Sequence, residues 1–144
     1  MARIAAIIVL VLVSAATSVL AQDSREVAMR TAPERAFVLS QMRLFLGSVQ
    51  VIASALAEGD MKAVAEQAAA RGRKGTPLST IPPGMKEKET PAWTAMMGGA
   101  RAGFDDIAAS AKDPSATPLK LMGMLGDTMK NCVACHQAYR LAVE

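Results

Sequence analysis

The chain has 144 residues, of which 3% are aromatic, and its 16 basic and 13 acidic side chains leave a formal charge of +3. That length, less an N-terminal leader, is one domain. So small a positive balance with so few stacking side chains argues against nucleic acid as a partner.

Met1 to Ala21 reads as a cleaved export signal. Arg3 is its only charge, residues 4–13 are apolar, and Val19-Leu20-Ala21 supplies small residues at a cleavage site. Ser14, Thr17 and Ser18 interrupt the apolar run, which falls short of the roughly 20 residues that a membrane span needs. The expected mature chain therefore runs from Gln22 to Glu144, lies outside the cytoplasm in the periplasm, and has no stable membrane insertion.

Helical signals follow in order. Thr31 and Glu34 have capping-box spacing with Pro33 in the first turn, so a helix is predicted from there to Gly59. Its apolar stripe is Val38, Met42, Phe45, Val49, Ile52 and Leu56. Asp60 caps a second, alanine-rich helix from Met61 to Arg71, closed by Gly72. Residues 72–89 mix proline, glycine and charge and read as a surface connection. Its cations, with Arg71, Arg73, Lys74, Lys86 and Lys88 among them, suit either solvent or the steering of an acidic partner.

Thr90-Pro91 starts a third helix with Trp93, Met97, Ala100, Phe104, Ile107 and Ala111 on one stripe. Gly98, Gly99 and Gly103 weaken it and suggest either a bulky group close to its backbone or a poorly optimised helix. Thr117-Pro118 repeats the start signal. The fourth helix is expected to run to the C-terminus, with Met122, Leu125, Met129, Cys132, His136, Tyr139 and Val143 facing inward. No convincing strand is legible, and the expected fold class is all-α, an antiparallel four-helix bundle.

The chemistry is concentrated in Cys132-Val133-Ala134-Cys135-His136, which uses both cysteines and the only histidine. C-x-x-C-H is the attachment signal for haem c: Cys132 and Cys135 would form thioethers with the vinyl groups, and His136 would coordinate iron from one side. A zinc site lacks a second ligand pair. A thioredoxin-like dithiol lacks its βαβ context. A disulfide stays open but leaves His136 unexplained. On one helix, both sulfurs and the imidazole fall within a turn of each other, so the haem would lie inside the bundle near one end. Arg140, one turn after His136, would pair with a propionate or orient the imidazole, or else be a solvated helix-terminal arginine. Tyr139 would pack against the haem edge. No group with a base beside it suggests substrate chemistry, so the chain is not read as an enzyme.

Residues 132–140, Cys-Val-Ala-Cys-His-Gln-Ala-Tyr-Arg, resemble the C-terminal signature of the cytochrome c′ superfamily, and Ala55 to Asp60 is similar to its helix-to-helix junction. The proline-rich connection departs from that pattern. The resemblance implies a periplasmic monohaem protein of one of two types. In the first, a methionine of the first helix completes the iron coordination and the protein carries electrons to and from redox partner proteins. In the second, iron stays five-coordinate and binds nitric oxide or carbon monoxide. Met42 is the best placed distal ligand under the first reading, with Met96 and Met97 next. Dimerisation through an outer helix face stays open, because no stripe is apolar enough to decide it.

Overall fold

The computed structural model describes residues 23–144. The expected export signal, Met1 to Ala21, lies outside the described residues. The described residues are mostly helical, with four α-helices: α1 (Ala32–Glu58), α2 (Met61–Ala69), α3 (Pro91–Ser110) and α4 (Pro118–Ala138). Two short strands, β1 (Glu26–Arg30) and β2 (Tyr139–Val143), flank them.

Each helix begins where a side chain can satisfy its orphan amides. Thr31 Oγ1 accepts from the Glu34 amide at 3.4 Å while Glu34 Oε2 accepts from the Thr31 amide at 2.7 Å, the reciprocal pair of a capping box. Asp60, Thr90 and Thr117 accept in the same way from the amides of Ala63, Trp93 and Lys120. At the far end of α1, Gly59 adopts φ 75°, and the amides of Asp60 and Gly59 donate to the carbonyls of Ala55 and Leu56. This is a Schellman stop, and it turns the chain directly into α2.

α1 packs on α2, α2 on α3, α3 on α4, and α4 more thinly on α1. Phe45, Ile52, Leu56, Val64, Phe104, Ile107, Leu121 and Leu125 form the main core between them. The Phe45 and Phe104 rings meet at 5.6 Å. By length and composition α1 is also apolar enough to cross a membrane. Here it carries a capping box and gives its inner stripe to the core.

The α3 glycines have a clear use at two of three positions. A Cβ at Gly103 would collide with the Thr128 side chain, and one at Gly99 would come within 2.6 Å of Asn131 Oδ1. These glycines let α4 approach closely. Gly98 faces open space. The bulky neighbour suggested by the sequence is therefore α4 itself.

That close approach also fixes the rotation of α4. Leu121, Leu125, Thr128 and Cys135 are buried, whereas Met122, Met129 and His136 are exposed. The inward stripe therefore begins one residue before the one read from periodicity. Both stripes have apolar members at steps of four and three and share Leu125, and the burial of Leu121 in the core and of Thr128 against Gly103 distinguishes them.

A second correction concerns the C-terminus. Tyr139 leaves the helix at φ −124°, ψ 147°, and residues 139–143 pair in parallel with residues 26–30, Val27 opposite Arg140 and Met29 opposite Ala142. Neither strand was expected. Tyr139 is buried here through an edge-on contact with Trp93 at 5.3 Å and a 2.7 Å hydrogen bond to Thr90 Oγ1, and extended backbone delivers it there. The connection between α2 and α3 is not wholly a surface segment either. Met85 is 5% exposed and packs with Val38, Trp93 and Tyr139 in a second apolar cluster.

Candidate functional site

That second cluster floors a cavity of about 380 Å³ where α1, α3 and the end of α4 converge with β2. Val38, Leu39 and Met42 of α1 form one wall and Trp93 and Met97 of α3 another, while Cys135, His136, Tyr139 and Arg140 close the third. A smaller adjoining cavity of about 40 Å³ has Cys132, Cys135 and His136 on one side and Met42, Phe45, Met96 and Met97 on the other. Four residues line both cavities: Met42, Met97, Cys135 and His136. The sequence-predicted residues are thus gathered around one space, although they come from opposite ends of the chain.

α4 places the cysteine pair and the histidine. Cys135 is buried, Cys132 half-buried, and His136 stands at the exposed mouth. Burial pushes both thiols above the ordinary cysteine range, and the neighbouring Cys132 raises Cys135 further. A reactive dithiol or a metal-thiolate site needs the opposite shift, towards the thiolate. No group of three or more histidine, cysteine or acidic side chains suited to a metal ion occurs among the described residues. An apolar-walled cavity, two protonated thiols, an imidazole and a thioether sulfur make a donor set that fits haem c better than zinc or a redox pair.

The rim adds charge that the sequence left unassigned. Arg25, Arg35 and Arg140 all line the larger cavity. Arg25 Nη1 donates to the His136 carbonyl at 3.2 Å and the Tyr139 carbonyl at 3.5 Å, and so caps the C-terminal end of α4. Asp23 accepts from Arg25 at 2.7 Å and lies 3.8 Å from Arg140. The Arg25 guanidinium, helped by Arg140, holds the Asp23 carboxyl down at about 2. Three guanidiniums against one carboxylate leave two positive charges at the mouth, which suits a ligand with two carboxylates such as haem.

Arg140 lines the larger cavity with Asp23 as its neighbour. Tyr139 lines the cavity and is fixed by Trp93 and Thr90. Met122 and Met129 are exposed. Lys88, read as a candidate steering charge, is tied to Glu34 at 3.0 Å and Glu144 at 2.7 Å, and Arg73 to Asp105 at 2.8 Å. Arg25, Arg35 and the wall role of Trp93 had no spacing signal: single arginines carry no periodicity, and Trp93 read only as a core residue. No family model, curated protein or solved structure matches this chain.

Proposed function

We propose that this protein is a monohaem c-type cytochrome that carries electrons, with its four helices arranged as an antiparallel bundle that holds the cofactor near one end. Cys132 and Cys135 would hold haem c covalently, and His136 of α4 and Met42 of α1 would be the proximal and distal ligands of its iron. One observation carries the reading: Met42 of α1 and Cys135-His136 of α4 line the same cavity from different walls. Haem supplies reversible one-electron chemistry at iron, and an axial methionine sets a higher potential than a five-coordinate site.

The chain's own residues do the rest. Val38, Leu39 and Trp93 keep water from the interior of the cavity. Tyr139 packs beside its edge, and Arg25, Arg35 and Arg140 meet the acidic periphery of the cofactor at the mouth. Arg25 also fixes the carbonyls of His136 and Tyr139, which orients the last turn of α4. Export to the periplasm rests on residues 1–21 and on the extracytoplasmic maturation that haem c requires. Redox proteins are the partners, and the protein is a carrier rather than an enzyme.

A second reading has one observation in its favour. Met42 is only part-buried, and another cavity lies behind it and Met97, so a methionine that swings away would leave a five-coordinate, gas-binding site. The deciding experiment is expression of the full chain with haem-attachment machinery, followed by the ferric spectrum of wild type and Met42→Ala. A low-spin methionine signature lost in Met42→Ala supports the carrier. A high-spin wild type that takes up carbon monoxide on reduction supports the gas binder, and a colourless protein ends both readings.

A further inference from the structure

Behind the wall formed by Val38, Met42, Trp93 and Met97 lies a separate cavity of about 210 Å³, roofed by the connection between α2 and α3. Its body is apolar, with Phe37, Ile81 and Met85 completing the lining. At one side stands Arg101 of α3, part-buried over the Phe45 ring at 5.3 Å. Its Nη1 donates to the Gly72 carbonyl and its Nη2 to Thr76 Oγ1, both at 3.1 Å. Two of its five N–H donors are used, and no carboxylate lies within ion-pair distance among the described residues.

The surrounding charge is mostly of the same sign. Arg73, Lys86 and Arg101 line this cavity against one carboxylate, Glu89, and Asp105 is taken by Arg73. Arg71 lies near enough to repel Arg101, and its own Nε is buried without a hydrogen-bond partner. Burial and that repulsion push the Arg101 guanidinium below its ordinary range, and the more distant Asp105 and Glu89 offset only part of that. Beside it, Gln41 Oε1 accepts from Thr76 Oγ1 at 2.9 Å, which leaves the Gln41 amide hydrogens for another acceptor.

We propose that this cavity is a binding site for a small organic monocarboxylate, held by Arg101 and Gln41 at its charged end with its apolar body against Phe37, Ile81 and Met85. At about 30 Å³ per water displaced, the volume suits a body of roughly seven to ten non-hydrogen atoms, the size of an aromatic acid. A carboxylate matches the guanidinium fork and relieves the uncompensated charge. Phosphate matches the charge and wastes the apolar walls. The site stands independently of the haem, though the two spaces share Met42 and Met97, so a bound acid presses on the same methionines.

Calorimetric titration of the purified full chain with benzoate, and with benzyl alcohol as its uncharged counterpart, tests the site. Benzoate should bind saturably, and benzyl alcohol at least tenfold more weakly. Arg101→Gln should weaken benzoate at least tenfold, Arg101→Lys should recover part of the loss, and Lys74→Gln on the exposed loop should change nothing. Helical circular dichroism checks each variant's fold. If Arg101→Gln does not fold, the comparison of the two ligands on wild type decides alone. No saturable benzoate binding, equal binding of the alcohol, or a folded Arg101→Gln that binds as wild type overturns the proposal. Because heat is read rather than colour, a haem-free product leaves this test intact, and the two readings fail separately.

Discussion

Replacing Arg30 with methionine should leave the stability of this protein nearly unchanged, an unusual expectation for a side chain only 2% exposed. The guanidinium donates from Nη1 to the Met29 carbonyl at 2.8 Å and lies over the Trp93 ring at 5.1 Å. Losing a hydrogen bond from a charged group removes about 1.5–3 kcal/mol, and losing a desolvated cation–π contact about 2 kcal/mol. Against this, Nε is buried with no partner, which costs about 1–3 kcal/mol. The desolvation of an ion with no carboxylate within ion-pair distance among the described residues costs several kcal/mol more. The two sides are of similar size, a few kcal/mol each, and methionine retains most of the apolar volume. Urea unfolding followed at the helical circular dichroism band, with unchanged slope, should move the midpoint by less than about 1 M. A loss greater than about 2 kcal/mol would refute the ledger and mean that a counter-charge compensates Arg30.

The α3 glycines predict opposite signs from one chemical change. Gly98→Ala meets open space and should raise the melting temperature, by up to about 1 kcal/mol in stability, whereas Gly103→Ala drives a methyl into Thr128 and should lower stability by about 1–3 kcal/mol. Tyr139→Phe removes the 2.7 Å bond to Thr90 and should cost about 1 kcal/mol in chemical denaturation while leaving the contact with Trp93. The Asp23 carboxyl, held at about 2 against an ordinary 3.8, stabilises the junction of β1 with α4 fully above pH 4. That contribution disappears as pH falls from 4 towards 2. The protection of the Tyr139 and Arg140 amides, measured against their intrinsic exchange rate at each pH, should therefore fall over that window in wild type and show no such step in Asp23→Asn.

The parts of this fold that sequence reveals are those set by local chemistry. Thr31, Asp60, Thr90 and Thr117 start helices because a short oxygen side chain meets free amides whatever surrounds it. Gly59 stops one because its left-handed backbone favours glycine. Cys132, Cys135 and His136 are legible as a site for the same reason, their spacing being their chemistry. The facing of α4 is not local. Leu121 and Met122 are equally apolar, and Gly99 and Gly103, some twenty residues earlier, choose between them. Residues 139–143 show no polar/apolar alternation that marks a strand, and nothing near them names the partner, which lies at the other end of the chain. The guanidiniums at the mouth were hidden similarly, since Arg25 and Arg35 acquire meaning only once β1 and α1 set them beside His136.

The pairing of β1 with β2 joins residues 113 positions apart, and the Arg25 bond to the His136 carbonyl joins residues 111 apart. A loop of that length closes at an entropic penalty that grows with its logarithm, and it returns little until the helices between are packed. The mouth of the cavity is therefore expected to be the last region to assemble. Helices can form and the apolar floor can collapse while the space beside Cys135 and His136 is still open on the side that β1 will cover. A chain ending at Ala138 would keep every residue of the cysteine-histidine motif and lose the strand that latches its two ends together.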